Sequence, residues 1–204
     1  METTHFILAG YASGSILYAR IFAKLFQKDD LFDQSRDKNP GTANAFRYGG
    51  FWCGLFTLIC DILKGFLPVF LYMIYIKPPS AEWLPSALVL AAPVIGHGFP
   101  VFFHFRGGKG IAVTFGCLLG LFPIWQPAAW LAAFFIFFSV VVRITPDYYR
   151  TLITYLCTFV CLFFTADWTA IWVGFLIIST VVFSKLLSSK EEKEKMGVRV
   201  LWMH

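Results

Sequence analysis

The stretch GHGFPVFFHFRGGKG, residues 96–110, lies between two long apolar runs, Ala81–Ile95 and Ile111–Phe122. Long apolar runs of this kind predict transmembrane helices. The glycines between the two runs predict a loop whose backbone a ligand can approach closely. The second helix would direct its first amide groups and the positive end of its dipole at this loop, beside Arg106 and Lys109. The combination predicts a receptor for a phosphate group, although glycines and cations also occur in ordinary loops at a membrane edge.

The composition beyond this stretch is that of a membrane protein. Of the 204 residues, 58% are hydrophobic and 14% are charged, and the mean hydropathy is +0.68. Long continuous apolar runs favour helices over the alternating strands of a membrane β-barrel. We therefore predict an all-α integral membrane protein, with one transmembrane domain over residues 1–204 and a cytoplasmic interfacial tail over residues 187–204. The net charge of +5 is dispersed among loops, which indicates membrane lipids or an anionic substrate and no nucleic acid.

The apolar runs predict about seven transmembrane helices at about 20 residues per crossing. Basic residues concentrate in the first, third and fifth loops and in the tail. This asymmetry places the N-terminus outside and the C-terminus in the cytoplasm. The predicted spans are His5–Phe26, Tyr48–Ile76, Trp83–Val101, Gly110–Phe122, Trp125–Val142, Arg150–Phe164 and Thr169–Leu187.

Several kinds of catalytic site have no support in the sequence. The five cysteines lie inside apolar runs and form no C-x-x-C pair, so we expect no metal site, and we expect no cofactor. There is no Ser-His-Asp or Cys-His set and no His-x-x-x-x-Asp acyltransferase motif. What remains is a set of cations, amides and glycines. Such a set can hold a phosphate ester beside a lipid-borne acyl group and stabilise developing negative charge.

Two further segments carry polar residues that suit this chemistry. In the first loop, Asn39, Thr42, Asn44 and Arg47 offer hydrogen-bond donors to an anion, although Asn-Pro-Gly is also a common turn and Asn44 could simply cap a helix. In the second span, Asp61 and Lys64 are three residues apart and share one helical face. A structural ion pair and a catalytic role are both open for these two residues.

The chain resembles the acyl-phosphate:glycerol-3-phosphate acyltransferase family of bacterial membranes. Residues 96–116 match its Gly-His-x-Phe-Pro-Val-Phe-x-x-Phe-Arg/Lys-Gly-Gly-Lys-Gly core, and Asn39–Arg47 resembles its first motif, Gly-Ser-Gly-Asn-x-Gly-Ala-Thr-Asn-x-x-Arg. Asp61–Gly65, together with Pro68 and Val69, resembles the second helix of the family, and Gly14–Ile16 resembles the first.

The resemblance implies an enzyme of the bacterial plasma membrane whose active site faces the cytoplasm. It would transfer a fatty acyl group from acyl phosphate to the 1-hydroxyl of glycerol 3-phosphate, giving lysophosphatidic acid and phosphate. The implied catalytic residues are Arg47, Lys109 and Arg143. The implied substrate-binding and phosphate-binding residues are Asn39, Gly41, Thr42, Asn44, His97, Arg106, Gly107, Gly108 and Gly110.

The chain departs from the family pattern at four places. Arg36-Asp37-Lys38 stands in place of Gly-Ser-Gly, Thr42-Ala43 reverses Ala-Thr, and Val142 replaces a serine. Ser179 and Val182 stand at the positions of the family's C-terminal histidine and asparagine. These departures leave three hypotheses: an active acyltransferase, a non-catalytic paralogue that binds acyl phosphate or anionic lipid, and a small transporter.

Overall fold

The computed structural model of the protein describes residues 2–28, 31–35, 37, 39–79, 81–189 and 195–201. Arg36, Lys38 and residues 190–194 of the charged tail lie outside this description. The helices are α1 (Glu2–Gly14), α2 (Tyr18–Leu25), α3 (Leu31–Gln34), α4 (Thr42–Gly49), α5 (Phe51–Tyr75), α6 (Trp83–Gly98), α7 (Ile111–Leu119), α8 (Gln126–Ile136), α9 (Asp147–Thr165) and α10 (Thr169–Ser188). The strands are β1 (Val142–Thr145) and β2 (Gly197–Val200).

The prediction of a helical, multi-pass integral membrane protein is confirmed. By length and composition, five helical segments among the described residues can cross a membrane: Glu2–Leu25, Phe51–Tyr75, Trp83–Phe103, Asp147–Thr165 and Thr169–Ser188. One face of α5 exposes a stripe of large apolar side chains at helical spacing, as a helix in contact with lipid requires. The stripe consists of Phe56, Ile59, Leu63, Leu67, Leu71 and Ile74.

The fourth predicted span differs from the structure in length. It is only the nine-residue helix α7, which at 1.5 Å per residue is about 14 Å long, roughly half the thickness of a bilayer core. Apolar composition alone therefore overestimated the length of this helix. The fifth span is helical over Gln126–Val141, close to the predicted Trp125–Val142, but its last part, Phe137–Val141, is π-helical and the chain then becomes β1.

Small residues set how closely the helices approach one another. A Cβ atom at Gly14 of α1 would overlap the backbone of Pro93 in α6, and one at Gly96 would overlap the carbonyl oxygen of Tyr11. A Cβ atom at Gly116 of α7 would overlap the carbonyl oxygen of Ile62 in α5. These contacts hold α1 close to α6 and α5 close to α7. As a result, the loop between α6 and α7 lies beside the loop that precedes α4.

We expect Gly116→Ala to destabilise the protein. The added methyl group has no space against the α5 backbone, and overpacking of this kind costs about 1–3 kcal/mol. The measurement is the thermal unfolding midpoint in detergent micelles. Ala133→Val, on an exposed face of α8, serves as the control. Equal midpoints for the two variants would contradict the close helix contact.

The main core lies among α6, α7, α8, α9 and α10. Tyr155 of α9 is fully buried at its centre, stacks on Phe175 with ring centroids 5.4 Å apart, and donates a hydrogen bond of 2.9 Å to the hydroxyl of Thr114. Because Thr114 lies in the second turn of α7, this contact fixes the start of α7 relative to α9.

The described part of the C-terminal tail, residues 195–201, contains the strand β2, which pairs with β1. The tail is therefore in contact with the rest of the protein and not simply exposed to solvent. The two strands are antiparallel, with Val142 opposite Val200 and Arg143 opposite Arg199. This pairing adds a small two-stranded sheet that the all-α prediction did not include. Each strand has four residues, too few to give a clear alternating pattern in the sequence.

Candidate functional site

The N-terminal ends of three helices meet at one cavity of about 680 Å³. α4, α7 and α9 each contribute residues of their first turns to its wall. The residues that precede these helices, Gly41, Gly110 and Pro146, make no side-chain capping hydrogen bond. Amide groups in the first turn of a helix can donate hydrogen bonds to an anion. The dipoles of three helices also direct positive potential into the cavity, which makes it a strong receptor for negative charge.

Among the described residues, three cationic side chains line this cavity. They are Arg47 of α4, Lys109 two residues before α7, and Arg150 of α9. Arg150 contacts the carboxylate of Asp147 at 2.7 Å, whereas its buried Nε atom has no hydrogen-bond partner among the described residues. An unpartnered buried donor beside a cavity is a place where a ligand oxygen can bind.

The first loop supplies an acid and two amides to the same wall. The Asp37 carboxylate lies 3.1 Å from the ammonium of Lys109 and accepts hydrogen bonds from the Asn44 side chain at 2.7 Å and from the backbone N–H of Asn39 at 3.2 Å. Burial alone would raise the pKa of Asp37, but the Asn44 hydrogen bond and the Lys109 charge outweigh this and hold its pKa below the usual value. Asp37 is therefore ionised at neutral pH.

A buried polar network forms the floor of the cavity. The Lys64 ammonium contacts three acceptors: Asp61 Oδ1 at 2.7 Å, the Ile16 carbonyl oxygen at 2.7 Å and His97 Nδ1 at 2.8 Å. A charged ammonium only donates, so Nδ1 of His97 accepts and the proton of a neutral ring is assigned to Nε2. Thr42 donates to Asp61 at 3.3 Å, and both Asp61 and His97 line the cavity. The predicted pair thus belongs to a network that joins α4, α5, α6 and the link between α1 and α2.

The glycine-rich loop packs directly on His97. Gly108 donates its backbone N–H to the His97 carbonyl oxygen at 3.0 Å, and a Cβ atom at either Gly107 or Gly108 would overlap His97. Gly110 begins α7 with a φ of +80°, a conformation that favours glycine. These glycines therefore let the loop cover the histidine and bring Lys109 to the cavity.

Apolar side chains also line the cavity. They are Leu58, Val113, Phe115 and Phe135. A chamber lined by both cationic and apolar side chains has the chemistry to accept a molecule with an anionic head and an apolar chain.

Most of the residues predicted as site residues lie together in this cavity. Arg106, Gly107 and Gly108 instead line a smaller cavity of about 380 Å³, which shares Asp37, Asn39 and Lys109 with the first. The residues that line the larger cavity as predicted are Asn39, Gly41, Thr42, Asn44, Arg47, Asp61, His97, Lys109 and Gly110. Lys64 reaches it through Asp61 and His97.

Arg143 is the predicted catalytic residue that lies outside both cavities. It is exposed on β1, opposite Arg199, whereas Arg150, seven residues later, lines the larger cavity. Sequence reasoning also missed Asp37, which stood out only as a departure from the family pattern. The sequence did contain one indication for Arg150. Pro146 favours the start of a helix directly after it, which puts Arg150 in the first turn of that helix, where a cation can lie near a bound anion.

Ser179 does not replace the family histidine at the cavity. It is buried in α10, where its hydroxyl donates to the Phe175 carbonyl oxygen at 2.7 Å. Val182 is also buried in the core. Neither residue lines either cavity.

We expect Arg150→Gln to weaken the binding of inorganic phosphate in this cavity by about 10–100-fold, because a hydrogen bond to a charged group contributes roughly 1.5–3 kcal/mol. Arg143→Gln is the matched control and should change the dissociation constant by less than about threefold. Isothermal titration of inorganic phosphate into the two purified variants tests this. A larger loss of affinity at Arg143 than at Arg150 would show that Arg143, and not Arg150, contacts the anion.

The fold and the cavity are those of a multi-pass membrane protein with an internal chamber lined by cationic and apolar side chains. The glycerol-3-phosphate acyltransferase family matches residues 4–192, and the chain belongs to that family. The glycerol-3-phosphate acyltransferase of Legionella pneumophila (strain Corby) is 44% identical over 128 residues, which are 61% of this chain and 44% of that protein. That of Albidiferax ferrireducens is 44% identical over 117 residues, 57% of this chain and 52% of that protein. The matches thus span about half the length of these curated relatives.

The fold is similar to that of a solved membrane enzyme. The crystal structure of PlsY (YgiH), an integral membrane glycerol 3-phosphate acyltransferase, in its glycerol 3-phosphate form superimposes with a TM-score of 0.77 at 24% identity, covering 91% of this chain and 88% of that one. The lysophosphatidic acid form gives a TM-score of 0.75 at the same identity and coverage. At this level of identity the likeness establishes the shared fold.

Proposed function

We propose that the protein transfers a fatty acyl group from acyl phosphate to the 1-hydroxyl of glycerol 3-phosphate, giving lysophosphatidic acid and phosphate. The observation that carries this proposal is the cavity, which is lined by cationic and by apolar side chains in a member of this family. Both substrates carry phosphate, and one also carries a long apolar chain. The names of the relatives and the two ligand forms of the solved enzyme support the same reaction.

The charged part of the cavity lining would bind the two phosphate groups. Arg47, Lys109 and Arg150 supply positive charge, and the amide groups at the starts of α4, α7 and α9 supply further donors. The acyl chain would lie along the apolar side chains. Holding both substrates in one chamber converts their encounter into a local reaction, which lowers the entropic part of the barrier.

The reaction needs charge stabilisation more than a strong protein base. The 1-hydroxyl oxygen of glycerol 3-phosphate attacks the acyl carbonyl carbon, the bond from that carbon to the phosphate oxygen breaks, and phosphate leaves. The hydroxyl proton passes to a phosphate oxygen of the substrates. Lys109 and the amide groups of α7 lie where they can stabilise the negative charge that develops on the leaving phosphate.

We also propose seven crossings, with the N-terminus outside and the cavity facing the cytoplasm of a bacterial plasma membrane. The first, third and fifth loops all contribute cavity residues, so an even number of crossings separates each loop from the next. α5 and α6 supply one such pair, and the short α7 with the α8 segment supplies the other. The basic residues of these loops favour the cytoplasmic side.

A non-catalytic protein that binds acyl phosphate or anionic lipid is the second candidate. The ion pair of Asp37 with Lys109 favours it, because part of the positive charge of the cavity is already neutralised. Such a protein would bind without turnover.

The deciding experiment measures lysophosphatidate and phosphate formed from acyl phosphate by the purified protein, with and without glycerol 3-phosphate. The proposal expects equal amounts of the two products, formed only when glycerol 3-phosphate is present. Binding of acyl phosphate with no product would favour the second candidate. Phosphate release with another acceptor only would change the assigned substrate.

A further inference from the structure

The Asp37 carboxylate makes the contacts that a bound phosphate group would be expected to make. One of its oxygens accepts from the Asn44 side chain at 2.7 Å and from the Asn39 backbone at 3.2 Å, and the other lies 3.1 Å from Lys109. Asn39, Asn44 and Lys109 are also residues that the sequence predicts as phosphate ligands. The side chains of Asp37 and Lys109 are only 11% and 15% exposed, so the contact is shielded from water.

We propose that Asp37 is an internal competitor for phosphate, and that a phosphate-bearing substrate must displace its carboxylate from Lys109 before it binds fully. The inference rests on the proposed function for the identity of the substrates, but it concerns anion binding and is tested separately. A carboxylate presents two oxygens with a spacing close to that of two phosphate oxygens, so the same donors can serve either group.

Simultaneous occupation is unfavourable for electrostatic reasons. A phosphate that contacts Lys109 and Asn44 would lie beside the ionised Asp37 carboxylate in a poorly solvated site, where like charges repel strongly. Arg47 and Arg150 supply positive charge elsewhere in the cavity, and Asp147 already contacts Arg150. If the phosphate replaces the Asp37 carboxylate, its negative charge is balanced by the cations of the cavity. If the phosphate binds while Asp37 stays in place, the cavity has more negative than positive charge.

Competition of this kind lowers the apparent affinity of the site. The apparent dissociation constant equals the intrinsic constant divided by the fraction of molecules in which Asp37 does not occupy the donors. Removal of the carboxylate should therefore tighten phosphate binding. A residue that merely holds Lys109 in position would show the opposite effect, because its loss would disorder the ligands.

The experiment is isothermal titration of inorganic phosphate into the purified full-length protein in detergent. We compare the wild-type protein with Asp37→Asn, which keeps the shape of the side chain, and with Asp37→Ala, which removes the group. Asp167→Asn, an exposed acid in the loop between α9 and α10, controls for net charge. Both Asp37 variants should bind phosphate about tenfold more tightly, and Asp167→Asn should bind as the wild type does.

Equal or weaker phosphate binding by the Asp37→Asn protein, with an unchanged unfolding midpoint, would overturn the inference. Similar tightening by Asp167→Asn would overturn it as well, because the effect would then be one of net charge. In the acyl transfer assay the KM for acyl phosphate should fall in the Asp37→Asn protein. If neither protein forms lysophosphatidate, the proposed function fails, and the phosphate titration still decides the role of Asp37.

Discussion

Replacement of Lys109 by alanine is expected to lower kcat/KM for acyl phosphate by about 10²–10³-fold, the usual cost of removing one group that stabilises charge in a transition state. Lys109 lines both cavities and lies two residues before α7, so it lines the same cavity as the first residues of that helix. In the part of the chain that the structure describes, no other lysine lines the larger cavity. The measurement is the initial rate of lysophosphatidate formation at several acyl phosphate concentrations.

Two further variants make the result specific to this position. Lys109→Arg keeps the charge and should retain part of the activity, because a guanidinium also binds phosphate but with a different shape. Lys77→Ala removes an exposed lysine in the loop between α5 and α6 and should leave the rate unchanged. If Lys109→Ala keeps more than about a third of the wild-type rate, the charge-stabilisation mechanism at this residue is wrong.

Local signals account for the part of the site that the sequence predicted. Arg47 and Lys109 are 62 positions apart, yet each belongs to a segment in which small or polar residues come directly before an apolar helix. A helix start next to a cation favours anion binding wherever it occurs in the chain, so the sequence of each segment was enough to predict an anion-binding role. Their meeting at one cavity depends on the contacts between α5 and α7, which bring the two loops together.

The residues that sequence reasoning missed depend on tertiary geometry. Arg143 and Arg150 lie in the same basic loop, and only the formation of β1 and the start of α9 at Asp147 decide which of them faces the cavity. Asp37 resembles an ordinary loop acid until its distances to Lys109 and Asn44 are known. The tail strand β2 has no local signal, because its partner lies more than 50 residues earlier in the chain.

The length of the fourth predicted span was overestimated for a related reason. Apolar composition shows that a segment is kept away from water. It does not distinguish residues that face lipid from residues that are buried against other helices of the protein. The helix α7 has five buried residues in nine, so much of its apolar character reflects contact with neighbouring helices. Composition therefore predicted the class of fold well and the length of α7 poorly.

The second large effect concerns the buried pair of Asp61 and Lys64. Their side chains are 2% and 1% exposed, and the Lys64 ammonium forms an ion pair with Asp61 at 2.7 Å and hydrogen bonds with the Ile16 carbonyl oxygen and His97. Removal of one partner from a buried ion pair leaves the other charge without compensation, which costs about 3–5 kcal/mol. We expect Lys64→Met to lower the free energy of unfolding by about this amount.

A double-mutant cycle separates the loss of the charge partner from the loss of packing. Asp61→Asn combined with Lys64→Met removes both charges, so it should be more stable than Lys64→Met alone, since no uncompensated carboxylate remains. Leu63→Met, on the lipid-facing side of the same helix, is the control and should cost less than about 1.5 kcal/mol. The free energies come from denaturant titration in mixed micelles. If the double variant is no more stable than Lys64→Met, an unpaired Asp61 carboxylate is not what destabilises that protein. The stability lost in Lys64→Met would then come from packing, and the charge of Lys64 would not be needed to balance the charge of Asp61.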